Sequence, residues 1–202
     1  KISRDLHDEI GSTLSSISVY SQVAKFYNEQ EKQSDLTNTL EKISSASGEM
    51  ISELSDTVWA INPLNDHMDI ILQRMESFAR PLLSALEINF HFYYDESLMN
   101  VNLEMTKRKN FYLIFKEAVN NVIKYAACKN LWVRLEYHNH ELTFTIKDDG
   151  RGYDMALVKS THSLSGNGLQ NMKHRAKEME GTLIIQSSQG NGTSIKLQFP
   201  IP

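Results

Sequence analysis

His7 and Asp8 stand side by side in the run Leu6-His7-Asp8-Glu9-Ile10. A neutral imidazole on a helix surface is a nucleophile. An adjacent carboxylate can take the proton of its second ring nitrogen as positive charge develops. By itself the pair is a weak signal, because many surface helices carry His-Asp by chance. Three later segments give it something to react with. Glu117, Asn121 and Lys124 are spaced by four and three residues, so an α-helix sets them on one face. The amide oxygen of Asn121 is a hard donor suited to Mg²⁺, and the Lys124 ammonium meets phosphate as a point charge. Asp148-Asp149-Gly150-Arg151-Gly152 follows a strand-like run, where the ordinary reading is an acidic turn. Beside a purine, however, the Asp148 carboxylate accepts a hydrogen bond from the exocyclic amine of adenine and is left unpaired by guanine. Gly166-Asn167-Gly168-Leu169 opens a helix whose unpaired amides suit phosphate. A nucleophile and a nucleotide pocket in one chain predict phosphoryl transfer from ATP to histidine.

The elements that must carry these residues are legible in the apolar spacing. Ile2, Leu6, Ile10, Leu14, Ile17, Ser21 and Ala24 recur at three- and four-residue steps, an amphipathic helix that fades near Tyr27-Asn28. Glu29 to Ser34 reads as a turn, with Ser34 or Asp35 as N-cap. Leu36, Leu40, Ile43, Ser47, Met50, Leu54, Val58 and Ile61 form a second, near-heptad series. Two such helices bury too little on their own, so an antiparallel hairpin that dimerises into a four-helix bundle is expected. Asn62-Pro63 should stop the second helix near Ile61. That sets the expected domains at 1–62 and 66–202. The second domain should be α+β. A helix over 66–86 presents Met68, Ile71, Leu72, Met75, Phe78 and Leu82 on one face. A strand at 88–92, a helix over 104–127 and a strand pair at 131–137 and 142–147 follow. Tyr153 to Ser165 reads as a mobile loop, followed by a helix at 169–179 capped by Gly181. Strands at 182–187 and 193–199 complete a mixed sheet with helices on one face.

Composition excludes several classes. The chain has 202 residues, 41% apolar and 23% charged, as in an ordinary globular protein. A net charge of -4 without a Lys/Arg run argues against tight non-specific nucleic-acid binding. The single cysteine, Cys128, cannot form an intrachain disulfide and reads as a small packed residue. No apolar run of about 18 residues is present, so no membrane contact by this stretch is expected. The opening directly inside a helical pattern reads as a piece of something longer.

The order of the motifs resembles the histidine kinases. Glu117-x-x-x-Asn121-x-x-Lys124-Tyr125-Ala126, Asp148-x-Gly150-x-Gly152, Gly166-x-Gly168-Leu169-x-Asn171-Met172 with Arg175-Ala176, and Gly192-Thr193 look like that family's ATP-binding α/β sandwich, shared with gyrase-type and chaperone-type ATPases. The His7-Asp8 helix resembles the phosphoacceptor domain of the nitrate-responsive and membrane-fluidity sensor subfamily. Trp59-Ala60-Ile61-Asn62-Pro63 is similar to the hinge of such kinases. The resemblance implies that His7 is the phosphoacceptor and Asp8 its proton acceptor. It implies that Asn121 holds Mg²⁺ with Glu117 positioning its water shell, and that Lys124 contacts phosphate while Tyr125 lines the ribose side. It further implies that Asp148, supported by Thr193, binds adenine, and that Gly150, Gly152, Gly166, Gly168 and Leu169 shape the pocket and its lid. The partners implied are a second copy of the chain and the receiver domain of a cytosolic response regulator. The location implied is the cytoplasmic portion of a membrane-anchored sensor. One position departs from the pattern: Ser12 stands five residues after His7, where relatives often carry the Gln that orients a dephosphorylating water. Weak phosphatase activity is therefore expected. The competing readings are a non-catalytic ATP-binding dimeric scaffold and a serine kinase of the anti-sigma type; the latter class lacks a phosphoacceptor hairpin.

Overall fold

The computed structural model describes residues 2–154 and 167–201, without the side chains of residues 2–10 and of Asn167. The expected loop therefore lies, from residue 155 onward, outside the described residues, as does Gly166. The chain divides into two compact units, Lys1–Trp59 and Ala60–Pro202. The expected limits at 62 and 66 fall inside the second unit, whose Arg108 holds the carbonyls of Ala60 and Asn62.

The first unit is two helices, α1 (Ile2–Glu29) and α2 (Gln33–Ile61, whose last two residues belong to the second unit). The turn between them closes through Lys32 N–H donating to Tyr27 O at 3.0 Å, with Glu31 at φ 54. α2 begins one residue earlier than expected, so Ser34 and Asp35 lie in its first turn rather than at its cap. The Lys42 ammonium sits 5.9 Å from the Tyr20 ring centroid, as expected of helices that fold back on each other. Among the described residues of this unit Ala24 is the only buried apolar side chain. Leu14, Val19, Phe26, Leu40, Ile51 and Val58 are each at least half exposed.

The second unit is a helical layer on a five-stranded mixed sheet. Its helices are α3 (Met68–Ala85), α4 (Met105–Asn121) and α5 (Asn167–Glu178). Its strands are β1 (Asn89–Tyr94), β2 (Asn130–His138), β3 (Glu141–Asp148), β4 (Thr182–Ser187) and β5 (Thr193–Pro200), in the order β1-β2-β3-β5-β4. β1 and β2 are parallel, so the chain must cross over between them, and α4 makes that crossing. The β2–β3 turn places Asn139 and His140 at positive φ, the conformation that matches strand twist in a two-residue hairpin. Strand alternation puts Leu131, Val133, Leu135, Leu142, Phe144, Ile146, Ile195, Leu197 and Phe199 against the helices, all at most 5% exposed. Phe111 of α4 meets Phe144 edge-on at 5.3 Å and Phe199 at 5.5 Å. These aromatic contacts fix where α4 lies on the sheet.

One expectation needs correction and another needs refinement. On α3 the buried residue is Leu83, and Leu82 is 41% exposed, because the buried face runs Met68, Ile71, Leu72, Met75, Ala79, Leu83. After α5, Gly181 closes the helix as expected, its N–H donating to Ala176 O at 2.8 Å, while Glu180 before it takes the left-handed conformation. Gly181 meets a second demand as well: a Cβ there would press on Gln198 O of β5.

Candidate functional site

The site is assembled where α4 ends. The sequence reads as one helix to Ala127, but α4 stops at Asn121 and Val122–Ala126 form a π turn that closes on Ala127 at φ 51. Such turns widen the helix and re-aim side chains. Glu117 and Asn121 remain neighbours, with Asn121 Nδ2 donating to Glu117 Oε1 at 3.3 Å. Lys124 is exposed; it and Glu117 do not line the cavity described next, whereas Asn121 and Tyr125 do.

The loop after β3 holds the π turn in place. Arg151 N–H donates to Ala126 O at 2.8 Å, and Arg151 Nε to Tyr125 O at 2.6 Å. Gly190 N–H in turn donates to Arg151 O at 2.6 Å. Ser187 Oγ accepts from Tyr153 N–H at 2.9 Å and lies 3.0 Å from Thr193 Oγ1. The loop is thus fastened on one side to the end of α4 and on the other to the β4–β5 turn. Gly152 sits at φ 58 where a Cβ would overlap Ser188 O, so any side chain there is both strained and obstructed. Gly168 lies where a Cβ would overlap the Glu117 carboxylate.

These elements enclose a cavity of about 560 Å³, a volume typical of small-molecule sites. Ala118, Val122, Ala126, Ile146, Leu169 and Ile195 supply apolar walls. Asn121, Tyr125, Asp148, Gly152 and Thr193 line it as well. The sequence reading missed Arg151, Tyr153, Asp154 and Gln189, which also line it. Tyr153 was open to recognition as an aromatic residue beside the glycines. Gln189 was not, since it arrives from a distant hairpin.

Asp148 is the central polar group. It is 3% exposed, and its Oδ1 accepts from Gly150 N–H at 2.9 Å. Burial raises its pKa above the ordinary carboxylate value, against the opposing amides of Gly150 and Thr193, and the Asp149 charge adds to the rise. No cation offsets this cost among the described ion pairs. A buried carboxylate facing a cavity therefore gains from a ligand that donates a hydrogen bond. Asp149 is different. It accepts from Lys129 N–H and Asn130 N–H at 2.9 Å and from Asn130 Nδ2 at 2.7 Å. Burial acts to raise its pKa, but those hydrogen bonds outweigh it and the net direction is down. Asp149 ties β3 to the start of β2 and leaves Asp148 to face the cavity.

A magnesium site is consistent with this donor set. No group of three or more His, Cys, Asp or Glu side chains forms a metal cage among the described residues. Asn121 uses its amide N–H toward Glu117 and leaves its oxygen as a hard donor. One or two protein oxygens with room for phosphate and water is what Mg²⁺ takes. His7 and Asp8 lie on α1, in the first unit, and their side chains are outside the described residues.

Known proteins match both parts of this architecture. A family model described as a histidine kinase-, DNA gyrase B- and HSP90-like ATPase matches residues 106–202, and one described as a histidine kinase matches residues 1–66. The chain is 27% identical to an uncharacterized sensor-like histidine kinase of Chloroflexus aurantiacus, over 100% of this chain and 34% of that protein. It is also 27% identical to the sensor histidine kinase DesK of Bacillus subtilis, over 99% of this chain and 50% of that protein. The chain thus spans between a third and a half of the length of these relatives. Among solved structures, the histidine kinase AdeS of Acinetobacter baumannii superposes with a TM-score of 0.65 at 13% identity, covering 92% of this chain and 95% of that one. That likeness is one of fold.

Proposed function

We propose, for a chain that belongs to the histidine kinases by the family models matching residues 1–66 and 106–202, that it transfers the terminal phosphoryl group of ATP to its own His7. The observation that carries this reading is the buried Asp148 carboxylate in a cavity of adequate size, lined also by Asn121, whose amide is hydrogen-bonded to Glu117. In the reaction the neutral imidazole nitrogen of His7 forms a bond to the γ-phosphorus. The bond from that phosphorus to the bridging oxygen breaks, and its electron pair leaves on ADP. Asp8 receives the proton from the second ring nitrogen, which holds the useful tautomer and steadies the developing positive charge. Asp148 orients the adenine, while Tyr125 and Leu169 wall the nucleotide. Asn121 would hold Mg²⁺, with Glu117 on its water shell. An ion held there would supply charge neutralisation for the phosphates.

The phosphohistidine then passes its phosphoryl group to an aspartate of a response regulator. The chain acts as a homodimer, because the half-exposed seam of α1 and α2 needs a covering partner and a second copy supplies the same pattern. No helix among the described residues is long and apolar enough to cross a membrane. Incubation with γ-labelled ATP and Mg²⁺ tests the reading. Acid-labile label that is absent in His7→Ala is the expected result. Nucleotide binding with no label in the wild type would instead identify a non-catalytic ATP-binding scaffold.

A further inference from the structure

The connector from α2 to α3 is held in place by a buried arginine. Arg108 stands in the first turn of α4 and is 1% exposed. Its Nε donates to Ala60 O at 3.2 Å, its Nη2 to Ala60 O and to Asn62 O (3.3 Å), and its Nη1 to Leu103 O at 3.3 Å. Nη1 also pairs with the Asp66 carboxylate. Ala60 is the penultimate residue of α2 and is itself 1% exposed. The last turn of α2 contains no basic residue of its own. The terminal carbonyls of a helix need donors and favour positive charge, and Arg108 supplies both from a residue 48 positions away.

The same stretch is fastened by its backbone. Asn62 Oδ1 caps the short turn Pro63–Asn65 through Leu64 N–H at 3.1 Å. Leu103 N–H donates to Asp66 O at 2.8 Å, and Met68 N–H to Val101 O at 3.0 Å. A proline-containing connector that would read as a free hinge is therefore built into the second unit.

Arg108 also shares its helix with the candidate site. Glu117 and Asn121 lie nine and thirteen residues further along α4, about 14 and 20 Å at the helical rise. A buried arginine is costly unless its donors are filled, and an apolar residue of similar volume would stabilise a purely structural joint as well. Here the guanidinium reaches three backbone carbonyls and a carboxylate, and it joins the end of one helix to the start of another.

We propose that Arg108 is a positioning residue for phosphoryl transfer, fastening the end of α2 and the Asn62–Asp66 connector to the helix that carries Glu117 and Asn121. This rests on the kinase reading above. Bending of the chain must then occur before Ala60 rather than at Pro63, and displacement of the end of α2 is delivered to α4 instead of being dissipated in the connector.

The test uses the whole chain with wild type, Arg108→Met, Arg108→Lys and Asp66→Ala. Amide exchange across residues 60–66, KM for ATP and the rate of His7 labelling are followed together. In Arg108→Met, exchange across the connector should rise on the order of tenfold. KM should stay within about twofold while kcat falls on the order of tenfold to a hundredfold, since misplacement rather than loss of binding is the defect. Arg108→Lys, which keeps the charge but not the span, should recover part of kcat. If Arg108→Met does not fold, Asp66→Ala at its partly exposed position should give the same split with smaller amplitude. Faster exchange with unchanged kcat overturns the proposal, as does unchanged exchange. A rise in KM that accounts for the whole loss also overturns it, because the arginine would then support only the pocket. A wild-type chain that takes no label on His7 overturns the kinase reading and the positioning role with it, and the unmutated control tells that failure from the others.

Discussion

Asp148→Asn should move stability and ATP affinity in opposite directions. The wild-type carboxylate is 3% exposed, its pKa is raised chiefly by burial, and it accepts from Gly150 N–H at 2.9 Å, with the Thr193 amide also acting on it. A group whose pKa is higher in the folded than in the unfolded chain binds its proton more tightly when folded. The free protein is then penalised by this group at neutral pH and relieved as pH falls through the raised value. An amide carries no charge to desolvate, so Asp148→Asn should hold or raise Tm at pH 7. ATP binding should behave oppositely. Losing a hydrogen bond from the adenine amine to a charged acceptor costs about 1.5–3 kcal/mol. If the substituted side chain keeps its amide oxygen on Gly150 N–H, its NH₂ faces another donor, which adds about 1–3 kcal/mol. A total near 3 kcal/mol or more corresponds to a loss of affinity of about a hundredfold or more. Titration calorimetry with ATP and GTP, paired with thermal melts, measures both quantities. The wild type should also lose ATP affinity on acidification above the ordinary carboxylate range, and the variant should not. ATP affinity within about threefold of wild type, with a lowered Tm, would refute the assignment of Asp148 to the adenine.

Gly152→Ala should be severe, since left-handed φ costs a side chain roughly 1–2 kcal/mol and the contact with Ser188 O adds about 1–3 more; denaturant melts read the loss directly. The Cys128 thiol is pushed up to about 11 by burial first and by the charges of Asp148 and Asp149. Its alkylation at neutral pH should therefore run roughly a hundredfold slower than that of an ordinary exposed thiol, as thiol-reagent kinetics will show. Ile51→Glu, at a position 63% exposed on α2, should shift the chain toward monomer in sedimentation if the seam of the hairpin is the dimer face. Dephosphorylation of a cognate regulator should be slow and unchanged in Ser12→Ala; turnover equal to that of a Gln-bearing relative and lost in the variant would overturn that reading.

What the sequence makes legible is what repeats locally. The two helical series, the strand alternation at 131–137 and 142–147 and the order of the glycine motifs each correspond to elements of the fold, because period and turn chemistry act within a few residues. Non-local contacts are not legible in this way. The apolar row Tyr112, Phe115, Val119, Val122, Ile123 and Ala126 continues a helical pattern, yet the helix becomes a π turn where Arg151 takes the carbonyls of Tyr125 and Ala126. That change of winding depends on the loop after β3, which no spacing rule could foresee. Gly181 reads as a cap and does close α5, but the strand packed beside it adds a demand that local pattern does not show. Arg108 carried no signal either, since an arginine in the first turn of a helix reads as a solvated side chain.

The unforeseen features share a cause. Arg151, Arg108 and the π turn all concern backbone carbonyls near helix ends that a distant side chain satisfies. Helix ends leave carbonyls that must find donors, and in the second unit the donors come from other elements. At the end of α4 the donor is Arg151, from the loop that also presents Asp148 to the cavity. At the end of α2 it is Arg108, at the other end of α4. The two arginines thus tie both ends of α4, one to the nucleotide loop and one to the incoming helix. Motif residues determine which nucleotide groups can be bound. On the reading proposed above, these arginines hold Glu117, Asn121 and Asp148 in place, so substitutions at Arg108 and Arg151 should lower the rate of His7 labelling while leaving those three residues unchanged.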